Sequence, residues 1–108
     1  MALSKNEVMK IVHNFLVSCG QKHKIKRAYL FGSFAKDAAS DYSDVDLAIV
    51  LENIRASEDS IYDEDFEIFH EAQQFNSLIE VVCFPEEVFN TDSGALVQRI
   101  KREGVMVM

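Results

Sequence analysis

Five apolar residues in a row, Leu47-Ala48-Ile49-Val50-Leu51, constrain this chain more than any other feature. Strand side chains alternate between two faces, so an unbroken apolar run of this length belongs to a strand covered on both sides. Such a strand lies at the centre of a sheet with helices packed on it. The run is entered through two acids, Asp44 and Asp46, and the strand is expected over residues 44–51.

The remaining elements can be placed around it. Ser4 followed by Glu7 is a capping-box pattern, and Val8, Ile11, Val12, Phe15, Leu16 and Cys19 recur at helical spacing until Gly20 offers a stop. Residues 25–31 are β-prone and end abruptly at Gly32-Ser33, with a short helix following over residues 34–38. A second amphipathic helix is expected over residues 61–75, with Phe66, Phe69 and Ala72 as its apolar face. Residues 78–84 form a third strand closed by Pro85. Ser93 can cap a last helix through Ala95, Leu96, Val97 and Ile100, closed by Gly104, with Arg99, Lys101 and Arg102 near its C-terminal dipole. Residues 105–108 suit a short edge strand. The expectation is a single domain over residues 1–108, with an α+β (mixed α/β) fold: a mixed sheet of about four strands with helices packed on it.

Charge and cysteine usage narrow the functional classes. With 18 acidic against 11 basic residues the formal charge is -7, which repels a phosphate backbone, so nucleic-acid binding is not expected. Lys22, Lys24, Lys26 and Arg27 cluster, and a solvated edge explains them. No apolar stretch is long enough to span a membrane and no export signal opens the chain, which gives an expectation of a cytoplasmic protein. Cys19 and Cys83 fall on apolar faces and read as buried reduced thiols. His13, His23 and His70 show no ligand spacing and read as surface or core-edge residues.

The chemistry concentrates in residues 31–47. Asp44 and Asp46, two apart at a strand start, project from the same face about 7 Å apart. Two like charges so placed are tolerable mainly with a cation between them, and hard oxygen donors suit Mg²⁺, whose shell is completed by water and substrate phosphate. Gly32 lets backbone N–H groups approach an anion, Ser33 adds a hydroxyl, and a helix start after them aims further N–H groups at the same place. Glu80 is an acid inside the apolar run 78–84, where a carboxylate is costly unless paired or metal-bound; the other reading is an exposed residue on an edge strand. If its strand lies beside residues 44–51, Glu80 faces the two aspartates and can accept a proton from an acceptor hydroxyl.

Gly32-Ser33, ten intervening residues, then Asp44-Val45-Asp46 resembles the signature of the DNA polymerase beta-like nucleotidyltransferase superfamily, particularly its minimal nucleotidyltransferase branch. The likeness extends to the first helix, to Glu80 with Phe84-Pro85-Glu86-Glu87-Val88-Phe89, and to the closing helix at Gly104. The resemblance implies two Mg²⁺ ions held by Asp44, Asp46 and Glu80, with Gly32 and Ser33 contacting the β and γ phosphates of ATP or another nucleoside triphosphate. Lys36 stands where many relatives carry arginine, and supplies a point charge without the bidentate fork. Glu80 stands where the third acid is often aspartate.

The same resemblance implies the reaction and a partner. A nucleoside monophosphate, AMP above all, would pass to an acceptor hydroxyl, and minimal members resemble antitoxins paired with a helical HEPN-domain ribonuclease, whose tyrosine is the implied acceptor. The alternatives are a catalytically weak antitoxin that acts by complex formation and an aminoglycoside-type small-molecule transferase. The oligomeric state stays open, with a bulky helix face available to a homo-oligomer. Two other readings of the acids fail. An EF-hand would need an oxygen ligand at Val45, and an aspartyl-phosphate phosphatase would place its acids after the apolar run and a threonine or valine at Ala48.

Overall fold

The computed structural model describes residues 4–32, 44–52, 60–91 and 94–108. In chain order the elements are α1 (Lys5–Gly20), β1 (Ile25–Phe31), β2 (Val45–Leu51), α2 (Ser60–Phe75), β3 (Ile79–Pro85), α3 (Glu86–Thr91), α4 (Ala95–Glu103) and β4 (Val105–Met106). The strands form one mixed sheet in the order β3-β2-β1-β4, with β2 parallel to β3 and β1 antiparallel to both β2 and β4. The expected α+β fold with a four-stranded mixed sheet is what the chain adopts.

The central position of β2 follows from its sequence. Val45, Leu47, Ile49 and Leu51 point to one side, where they pack with Val8, Val12, Phe15 and Leu16 of α1 and Ile68 and Ala72 of α2. Ala48 and Val50 point to the other, against Phe89 of α3 and Val97 and Ile100 of α4. Both faces are therefore dry, and each buried aliphatic side chain contributes about 1.5–3 kcal/mol relative to exposure. Phe89 closes the second face, with ring centroids 5.4 Å from Tyr29 and 5.6 Å from Phe84 and the Lys101 ammonium 5.2 Å above it.

Local signals explain some helix ends and not others. Ser4 accepts from the Glu7 N–H while the Ser4 N–H donates to the Glu7 carboxylate, so the capping box is complete. Gly20 is the last residue of α1 and not a left-handed stop; the chain turns at Gln21, which stays in the right-handed helical region. The N-cap of α4 is Gly94, without a side-chain cap bond, in place of the expected Ser93, which lies outside the described residues. Gly104 ends α4 in extended backbone, where a Cβ would run into the Ile100 carbonyl.

Two expectations need correction. The core face of α2 is Ile68 and Ala72, while Phe66 and Phe69 are 66% and 39% exposed. Two stripes rotated by a fraction of a turn are both apolar on this helix, and packing against the sheet selects the slimmer one. Helix α3, directly after Pro85, was not expected; two acids in its first turn, Glu86 and Glu87, favour its start. Pro85 itself is the last residue of β3, paired with Leu51. The predicted short helix over 34–38 lies outside the described residues. Cys19 and Cys83 are buried and unbridged as expected, and among the described residues no helix is long and apolar enough to cross a membrane.

Candidate active site

Three of the sequence-predicted acids meet at one end of the sheet. The Val45 N–H donates to the Leu78 carbonyl at 2.7 Å, which pins the start of β2 beside the start of β3. From there the parallel register pairs Asp46 with Glu80, and Asp44 stands just before the strand. Strand alternation puts Asp46 and Glu80 on the α3/α4 side, in line with Ala48 and Val82. Asp46 is half-buried, whereas Asp44 and Glu80 are exposed; Glu80 stands on edge strand β3, so its place in an apolar run carries little burial cost and does not by itself call for a metal.

Electrostatics show how closely the acids interact. Burial, and then the Asp44 carboxylate, push the Asp46 carboxyl above its ordinary range, opposed by Arg99 of α4. Glu80 is pushed up chiefly by Asp44, with smaller contributions from desolvation, Asp46 and a side-chain hydrogen bond to Asp44. A hard divalent cation relieves this kind of repulsion, and an all-carboxylate donor set suits such an ion. The three carboxylates do not all come within 4.8 Å of one another. The described side chains whose ligand atoms all fall within 4.8 Å of one another are Cys19, His23 and Glu71, on the opposite side of the sheet.

Gly32 completes the described part of the site. It follows β1 immediately, and Phe31 is the antiparallel partner of Asp46, so the β1 turn is laid against the aspartate. Its φ is +75°, a backbone conformation that only glycine adopts without strain, and a Cβ there would collide with Asp46 Oδ2. Ser33 and Lys36 lie outside the described residues.

Sequence reasoning missed Arg99 as a member of this site. Its position in α4 suggested only a helix-end charge, yet that charge also acts on Asp46 while the side chain bonds Glu103 at 3.3 Å. The helical offset of Arg99 from buried Val97 and Ile100 would have been the signal, once α4 was known to cover the acid face.

The family model for Polymerase beta, Nucleotidyltransferase matches residues 14–108. The chain belongs to this nucleotidyltransferase family. Solved structures agree on the fold of this polymerase beta-type domain. A candidate nucleotidyltransferase from Sulfolobus solfataricus is similar with a TM-score of 0.66 at 14% identity, over 94% of this chain and 80% of that one. A toxin-antitoxin crystallised with AMP-PNP gives 0.60 at 18% identity, over 93% and 72%. A mutant of the toxin-antitoxin MntA-HpeT gives 0.56 at 16% identity, over 98% and 73%. Comparison with curated protein sequences gave no match.

Proposed function

We propose that this nucleotidyltransferase uses Mg²⁺ to transfer AMP from ATP to a hydroxyl of a protein acceptor, and that it serves as the antitoxin partner of a HEPN-domain toxin. The observation that carries the reading is the pairing of Asp46 with Glu80 across β2 and β3, with Asp44 coupled to both and the Gly32 turn set against Asp46. Asp44, Asp46 and Glu80 would hold two Mg²⁺ ions. When bound, such ions neutralise the triphosphate and favour departure of pyrophosphate.

The chain's own residues have separate tasks. Gly32 leaves room for the Asp46 carboxylate, on which any side chain would press, and Gly32, Ser33 and Lys36 are assigned to the phosphates. Glu80, exposed and held above its ordinary range, accepts the proton of the acceptor hydroxyl as that oxygen bonds to the α-phosphorus and pyrophosphate leaves. Arg99 offsets charge at Asp46 so that the aspartate stays a ligand.

The partner assignment draws on the toxin-antitoxin structures with the same fold, one crystallised with AMP-PNP and one carrying aspartate-to-glutamate changes at two positions two apart. A binding role without strong chemistry is a second reading, favoured by the exposed aromatic rings of Phe66, Phe69 and Phe75 along α2. Incubation with labelled ATP, Mg²⁺ and the neighbouring gene product separates the two. Label on the partner, lost in an Asp44→Ala, Asp46→Ala double variant, is the expected result. Retained labelling removes the carboxylate assignment, and tight complex formation without labelling promotes the binding role.

A further inference from the structure

On the side of the sheet away from the carboxylate trio, the end of α1 meets α2 around a buried imidazole. Cys19 lies in the last turn of α1, and the His23 N–H donates to the Cys19 carbonyl at 3.0 Å, which continues the helical path and brings both side chains to one side. Glu64 and Glu71, two turns apart on α2, face them. The His23 side chain is 4% exposed, with Nδ1 2.9 Å from Glu64 Oε1 and Nε2 3.2 Å from Glu71 Oε2. Ligand atoms of Cys19, His23 and Glu71 all lie within 4.8 Å of one another.

The convergence of three donor atoms of different chemistry is what sets this cluster apart from an ion-paired histidine. Both ring nitrogens of His23 lie within hydrogen-bond reach of a carboxylate, Glu64 at Nδ1 and Glu71 at Nε2. With a metal ion bound, Glu64 would accept the Nδ1–H, as the outer carboxylate of a metal-bound histidine does, leaving Nε2 to ligate beside Glu71 and Cys19. Lys22 Nζ reaches the other Glu71 oxygen at 3.5 Å, so Oε2 is the one turned to the histidine.

We propose that Cys19, His23 and Glu71 form a binding site for a zinc-class transition metal ion, with Glu64 orienting the histidine. Sulfur, nitrogen and oxygen donors together exclude Mg²⁺ and Ca²⁺, which take oxygen, and match Zn²⁺. A pocket of about 270 Å³ lined by Phe15, Ser18, Cys19, Lys22, Glu71 and Gln74 supplies an entry path and room for a fourth ligand such as water. Binding exchanges the thiol proton for the metal: Cys–SH and Zn²⁺ become a zinc-bound thiolate, and the proton goes to solvent. The ion would tie the end of α1 to α2 and is independent of the nucleotidyl-transfer reading.

Cobalt(II) is the probe, because a thiolate ligand gives it an intense near-ultraviolet charge-transfer band that a carboxylate site cannot. Titration of the metal-free protein is expected to show this band saturating at one ion per chain, displaced by Zn²⁺. The band should persist in Cys83→Ala and in the Asp44→Asn, Asp46→Asn double variant and disappear in Cys19→Ala. Glu64→Gln should weaken binding about 10–100-fold. Absence of the band in the wild-type protein overturns the proposal without reference to any variant. So does a band that survives in folded Cys19→Ala, with folding checked by circular dichroism.

Discussion

Asp46 and Glu80 face each other as register partners on the parallel strands β2 and β3, and the charge on Asp44 raises the proton affinity of both. The native fold therefore binds these two protons more tightly than the unfolded chain. Their stability contribution is complete below the ordinary carboxyl values of 3.8 and 4.5 and is lost as pH rises through the raised native ones. At neutral pH the ionised acids strain the metal-free fold, so Asp46→Asn should raise its thermal midpoint in EDTA while abolishing nucleotidyl transfer. Calorimetry showing a lower midpoint for the variant would contradict the assigned repulsion.

Gly32→Ala is expected to damage both fold and site. An alanine at φ +75° costs about 1–2 kcal/mol, and its Cβ must also displace the Asp46 carboxylate. Urea denaturation should show a lower midpoint, and nucleotide binding should weaken even under conditions where the variant is fully folded. Unchanged nucleotide affinity would separate Gly32 from the phosphate site.

The two apolar stripes of α2 can be told apart by truncation. Ile68→Ala, at a fully buried position, should cost about 2–5 kcal/mol. Phe66→Ala, at a ring 66% exposed, should change stability by no more than about 0.5 kcal/mol. Chemical denaturation of the two variants in parallel measures both.

That helix shows where sequence reasoning stopped. The positions of the acid pair and the glycine turn at strand ends could be read from strand alternation, whereas the nearness of Glu80 to them depended on the β2/β3 pairing that only the structure supplies. The face of α2 could not, since both of its stripes are apolar and only the sheet decides between them. His23 is remote from Glu64 and Glu71 in sequence, so local spacing gave no hint of their contact. Arg99 joins the acid site only because α4 folds back across β2. Helix α3 is six residues long, too short for periodicity to stand out.

The thiols give an alkaline test. Burial first, and then Glu71, push Cys19 up to about 12 from an ordinary 9.0, and burial with Asp65 moves Cys83 upward as well. Their stabilising effect is fully present below 9.0 and is lost as pH climbs towards the native values, so metal-free stability should decline above about pH 9. Iodoacetamide near pH 8 should label both thiols far more slowly in the native than in the unfolded chain. Rapid native labelling of Cys19 would contradict its buried setting.

The central claim is that Asp44, Asp46 and Glu80, beside the Gly32 turn, form one site for a metal-bound nucleotide. Calorimetric titration with a non-hydrolysable ATP analogue, in Mg²⁺ and in EDTA, tests it without knowledge of the acceptor. The wild-type protein should bind in Mg²⁺ and lose affinity in EDTA, and the folded Asp44→Asn, Asp46→Asn double variant should fail in both. Equal affinity for wild type and variant in Mg²⁺, or binding indifferent to EDTA, would contradict it.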